Sequence, residues 1–230
     1  MDHQPGPSRR KPPRTPDHLL TTDEIRAVTA FALACAEQVL PVFETAHPHD
    51  DRPRAALLSA AAFAAGQPRS RAQRVTAPAA HRAGRECSSP AAFHAATAAG
   101  DAAASAYLHP LADAAQVNHI LRAAAHTVRV FELCPELRPG QDPMGCVLHR
   151  ATPSLTAVLH RYPRVPAGRT PVARLVHTLD RQLRSTSTAP ARPVPDRPSE
   201  EPSAGEPSAA ASCAGEPADR EPGEAPRRRP

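Results

Sequence analysis

Glu37-Gln-Val-Leu-Pro-Val-Phe-Glu-Thr-Ala-His-Pro-His-Asp-Asp-Arg-Pro-Arg-Ala-Ala-Leu-Leu-Ser-Ala-Ala-Ala-Phe-Ala-Ala-Gly66 reads as the end of one helix, a polar elbow and a second helix. Pro41 should bend or end the first helix near its last turn, since proline has no amide hydrogen to give. The elbow runs from Glu44 to Asp51. Asp51 is placed to cap the second helix, with Pro53 in its first turn. Leu57, Leu58, Ala61, Ala62 and Ala65 supply that helix with an apolar face, and Gly66 suits its end.

Working outward, the same grammar recurs. Thr21-x-x-Glu24 is a capping-box pattern. Ile25, Val28, Ala32, Cys35 and Val39 form one stripe behind it, and Leu33, Ala36, Leu40 and Phe43 a second. Residues 70–86 are helical in composition, with a kink or break expected at Pro78. Ser89-Pro90 opens a helix carrying Phe93, Ala96, Gly100, Ala103 and Tyr107, where Gly100 and the alanines make a flat ridge for close contact. Val117, Leu121, Ala124, Val128 and Phe131 form the seam of the next. Residues 134–151, rich in Pro and Gly, read as irregular. Thr152-Pro153 and Thr170-Pro171 start two short helices. The expected fold is all-α, a single antiparallel bundle or array of about six or seven Ala-rich helices.

Composition agrees. Among 230 residues there are no Trp, five Phe and two Tyr, and alanine dominates the apolar count, which favours helix over strand. Residues 1–18 and 186–230 are too rich in Pro and polar side chains to bury a core, so both read as disordered tails. A helical domain over 19–133 is expected to carry 134–185, a loop plus two short helices, packed on it. Charge divides as about +2, +5 and −2 over the N-terminal tail, the middle and the C-terminal tail. This balance permits an acidic partner or nucleic acid and demands neither. Five cysteines with no C-x-x-C pair suggest reduced thiols. No signal-peptide pattern or membrane-length apolar run is present, so a cytoplasmic protein is expected, with no membrane partner.

The elbow holds the candidate site. Glu44, His47, Asp50, Asp51, Arg52 and Arg54 are either a recognition surface or a charge network tying two helices together. His47, His49 and Asp50 have the side-chain types of a metal site, which would make the protein a metal-dependent hydrolase of the His-Asp kind. His18 or Asp101 would then be the more distant ligands. A His-x-His-x-Asp-His signature fails at position 52, which is Arg. His119 and His126 share a helix face near His109 and read as polar-face residues. His81, beside Arg82 and Arg85, reads the same way or as an inward, hydrogen-bonded ring. No nucleophile elbow and no Gly-rich phosphate loop is present. Nucleic-acid association would rest on Arg9-Arg10-Lys11 and Arg227-Arg228-Arg229 alone, because aromatics for stacking are scarce.

Residues 28–131 resemble the Imm-5-like immunity proteins of bacterial polymorphic toxin systems. The resemblance rests on Cys35-Ala-Glu-Gln-Val-Leu-Pro-Val-Phe-Glu44, His47-Pro-His-Asp-Asp-Arg-Pro-Arg54 and Ala62-Phe-Ala-Ala-Gly66. It continues through Ala79-Ala-His-Arg-Ala-Gly-Arg85 and, more loosely, Ala98-Ala-Gly-Asp-Ala-Ala-Ala-Ser-Ala-Tyr107. The chain departs from that pattern at Phe63, where the family usually has Trp, and at Pro78. What the resemblance implies is an all-helical protein without catalysis or cofactor that binds and neutralises a cognate toxin.

Overall fold

The computed structural model describes residues 17–186. The tail expectations, with Arg9-Arg10-Lys11, Cys213 and Arg227-Arg228-Arg229, fall outside them. Asp17 and His18, assigned to the tail on composition, are tied to the domain. Asp17 donates to the Pro110 carbonyl at 2.8 Å and accepts the Ala112 amide at 2.7 Å, and His18 packs edge-on to Tyr162.

The described residues form nine α-helices and no strand. Helix α1, Thr22–Ala36, starts at the expected capping box: Thr21 accepts the Glu24 amide at 3.2 Å and Glu24 accepts that of Thr21 at 2.8 Å. The chain then turns at 37–39 and resumes as α2, Leu40–Ala46, bent 48° from α1. The break lies ahead of Pro41, not after it. Pro41 sits in the first turn of α2, where its missing amide hydrogen costs nothing, and its ring forbids a continuous helix through Glu37.

Helix α3, Arg52–Ala64, corrects two expectations. Asp51 makes no capping hydrogen bond; the Asp50 carboxylate accepts the Arg52 amide at 3.1 Å instead. Its buried face is Pro53, Ala56, Leu57, Ala60 and Phe63, so Leu58 and Ala62 point outward. Leu57 packs with Ala56 and Ala60 into one core cluster and Phe63 into the other, so α3 is buried over a wide arc. Gly66, at φ +105°, closes the helix, with the Gln67 amide reaching back to Ala62 and that of Gly66 to Phe63.

Helix α4, Arg71–Arg85, runs unbroken through Pro78. Pro78 is exposed, so the Arg74 carbonyl that it cannot serve faces water. Helix α5, Pro90–Ala104, is the centre of the molecule. It is buried on most of its circumference and packs against α1, α2, α3, α4 and the following helix α6, Val117–Leu133. A helix can be surrounded this way only if its side chains are small, which is what the alanine run provides. The α6 seam is buried as expected, together with Ile120, His126 and Val130.

Residues 134–151 are more ordered than their composition suggests. Asp142 accepts the Met144 and Gly145 amides and starts α7, Pro143–Leu148. Thr152 caps α8, Pro153–Leu159, and Thr170 accepts the Ala173 amide in the first turn of α9, Pro171–Thr186. At 16 residues α9 is no short helix; it packs along α6. The core divides in two. One cluster joins the end of α1 with α2, α3, α4 and α5, and the other joins the start of α1 with α6, α8 and α9.

No single described helix is long and apolar enough to cross a membrane; α1 and α2 together pass on length and composition, and their apolar residues lie in the core. Cys35, Cys87, Cys134 and Cys146 are unpaired with one another.

Candidate functional site

Two clusters carry the chemistry-bearing side chains. The elbow is the first. Arg54 on α3 forks onto Glu44 on α2, with Nε and Nη2 each 2.6 Å from a carboxylate oxygen. Arg52 does the same to Asp50 at 2.9 and 2.6 Å and also reaches Glu86 at the end of α4. These pairs tie α3 to α2 and α4. The Arg52 hydrogen bond is the main cause holding Asp50 and Glu86 below the usual carboxylate range, and Glu44 raises Arg54. Exposed pairs of this kind add little to stability; what they fix is the direction in which the elbow presents its charges.

The remaining candidates do not converge. His47 stacks on Phe43 with ring centroids 5.0 Å apart, and His49 and Asp51 are exposed. Asp50 is taken by Arg52. Among the described residues no group of three or more His, Cys, Asp and Glu is arranged to hold a metal ion. His18 lies against Tyr162 and Asp101 against partners of its own, so neither completes a ligand set with the elbow. Beside the Glu44–Arg54 fork lies a groove lined by Glu37, Leu40, Pro41, Arg54, Leu57, Leu58 and Ala61. Leu58 is 64 % exposed there.

The second cluster centres on Asp101, a carboxylate only 3 % exposed in the last turn of α5. Arg122 of α6 donates to it through Nε at 2.8 Å and through Nη2, and His81 Nε2 of α4 lies 3.0 Å away. His81 crosses α5 over Gly100, where a Cβ would sit 2.4 Å from its ring. The close helix contact expected at Gly100 is therefore a contact with a side chain that carries a proton. Burial pushes the Asp101 pKa up, and the His81 and Arg122 hydrogen bonds outweigh it, so the group stays ionised below its ordinary value.

His126 of α6 corrects the polar-face reading. It is buried, with Nε2 3.7 Å from Asp101 and Nδ1 2.8 Å from Nδ1 of His94 on α5. With both rings neutral, the assignment that suits both contacts has His94 donating to His126 and Nε2 of His126 carrying the hydrogen that faces the carboxylate. Burial is the main cause lowering the His126 pKa to about 4, so this ring is neutral near pH 7. His119 and His94 are lowered for the same reason.

Asp101 stands alone in Ala98-Ala-Gly-Asp-Ala-Ala-Ala, and a single acid amid alanines was the available signal for this cluster. His119, Arg122, His126 and Arg129 at steps of three, four and three were the second. His94 carried none.

Fold and site together define an all-helical protein with a rigid charged elbow on its surface and a neutralised carboxylate in its centre. The chain belongs to the family described as Imm-5 like putative immunity protein, whose model matches residues 18–133, from the start of the helical domain to the end of α6. No curated protein and no solved structure matches it.

Proposed function

We propose that the protein is a non-catalytic immunity protein that binds and neutralises a cognate bacterial toxin domain in the cytoplasm, with the α2–α3 elbow as part of the contact. Family membership supports the first half. The second rests on one observation. Glu44, Asp50 and Asp51 outnumber Arg52 and Arg54 at the elbow, in a chain whose net charge is +5. An acidic surplus on a basic protein speeds capture of a basic partner surface, and the exposed Leu58 beside it offers an apolar anchor.

The forked pairs hold the elbow's shape, while Asp51 and Leu58 take no part in them. These two are therefore the test positions. Where a toxin is encoded beside this gene, its co-expression with the wild-type chain should be survivable. Asp51→Lys with Leu58→Asp should abolish rescue and weaken binding at least tenfold, at an unchanged melting temperature. Full rescue by the double variant would remove the elbow from the contact. A toxin that stays lethal beside the wild-type chain would end the pairing with that neighbour.

A further inference from the structure

Across the outer face of α5, α4 and α6 flank an open surface pocket of about 270 Å³ lined by His81, Arg85, Phe93, Thr97, Arg122 and His126. Phe93 and Thr97 are four apart and continue into Gly100 and Asp101, so the floor is one stripe of α5. Gly84 of α4 keeps that floor close: a Cβ there would lie 3.1 Å from Phe93 O and Thr97 Oγ1. The floor is apolar at the Phe93 end and polar at the Asp101 end.

The charge at the polar end is unbalanced. Asp101 is shared by Arg122 and His81. Arg122 spends Nε and one Nη2 hydrogen on it, which leaves Nη1 and the second Nη2 hydrogen of a side chain that is 42 % exposed. Arg85 is exposed and has no hydrogen bond or ion pair among the described residues. Two guanidinium groups thus line a pocket whose nearest carboxylate is already engaged beneath it. Guanidinium forks match the planar or tetrahedral oxygens of carboxylates and phosphates, and Asp101 locks one of the two forks in place before any ligand arrives.

We infer that this pocket binds an organic oxyanion, a phosphate or carboxylate group carried on a flat apolar body, with Arg85 and Arg122 on the anion and Phe93 against the body. The site is separate from the elbow contact and stands or falls without a toxin. Its test uses the full chain and three probes, phenyl phosphate, benzoate and inorganic phosphate, with sodium chloride at matched ionic strength as the control. The readouts are titration calorimetry and the imidazole ring-proton signals of His81 and His126.

At least one aromatic probe should bind saturably, move both histidine signals and bind more tightly than inorganic phosphate. Which aromatic probe binds better distinguishes phosphate from carboxylate. Arg85→Gln should weaken binding at least tenfold; the residue has no internal partner, so the fold should stay intact. Phe93→Leu should erase the advantage of the aromatic probes over inorganic phosphate. Shifts no larger than those from sodium chloride, or unchanged affinity in Arg85→Gln, would overturn the assignment.

Discussion

At the scale of single residues, the centre of the molecule is a problem in proton placement. His126 folds in its neutral form. Its folded pKa of about 4 lies below the ordinary 6.5, so between those values the unfolded chain takes the proton more readily. Stability must therefore fall as pH drops from 6.5 toward 4. At 1.36 kcal/mol per unit the loss from this group is about 3 kcal/mol. Urea unfolding at stepped pH should show that slope, and His126→Gln should flatten it; an equal slope in both would assign the acid sensitivity elsewhere. His94 and His119 push in the same direction, whereas the stabilisation from Asp101 is lost only at more acid pH, as the medium falls through the ordinary carboxylate value toward its lowered one. Gly100→Ala should cost about 1–3 kcal/mol, because the added methyl group meets both the His81 ring and the Ala77 carbonyl. Loss of the His81–Asp101 hydrogen bond would appear in the His81 ring signals, and a variant as stable as the parent would show that the contact is not tight.

At the scale of helices, most boundaries were legible because they are written in local chemistry. Thr21 with Glu24, Ser89, Thr152 and Thr170 cap where a short polar side chain precedes a helix, and each acts within three residues of itself. The errors arose where local chemistry offered two solutions. Asp50 and Asp51 are equally good caps on paper, and the Arg52 fork selects Asp50. Leu57 and Leu58 are equally apolar, and packing of Ala56 and Ala60 into the core selects Leu57, which shares their cluster. Pro78 reads as a break, yet its exposure lets water serve the carbonyl it strands. That last case is testable. Pro78→Ala restores one hydrogen bond inside α4 and removes a ring clash, offset in part by a freer unfolded chain. It should stabilise the protein by about 1–2 kcal/mol in thermal or urea unfolding. A destabilised variant would mean that the proline ring packs against something. The Asp101 cluster was legible only in separate members, such as His81 read as an inward, hydrogen-bonded ring, because they come from three helices and 46 residues of sequence, His81 to His126. Periodicity finds a face, not the ring that crosses it.

At the scale of the whole molecule, the family match and the folding unit have different ends. The match stops at residue 133. The second core cluster does not: Leu155, Val158, Leu159, Tyr162, Val176, Leu179 and Leu183 bury themselves against α1 and α6. The buried Asp180–Arg184 pair fastens α9 to the loop before it, through the Val165 amide and the Tyr162 carbonyl. A chain cut after residue 133 should therefore bare one side of α6, bind hydrophobic dye and lose its cooperative melting transition, and a sharp, unshifted transition would show that α7–α9 are dispensable. The placement of Asp101 also bears on how the protein is made. A ribosome delivers the acid of α5 before the arginine that neutralises it, because Arg122 lies 21 residues downstream. Until α6 emerges, the nascent chain would have to bury that charge with His81 alone beside it and no arginine, and hydration of the carboxylate keeps α5 from docking. The first half of the domain is thus expected to wait for the second, with one ion pair acting as the latch. Stalled chains long enough to release α5 but not α6 from the ribosome should be digested readily by protease, and those long enough to release α6 through α9 should resist it; early resistance would mean that α5 docks without its arginine.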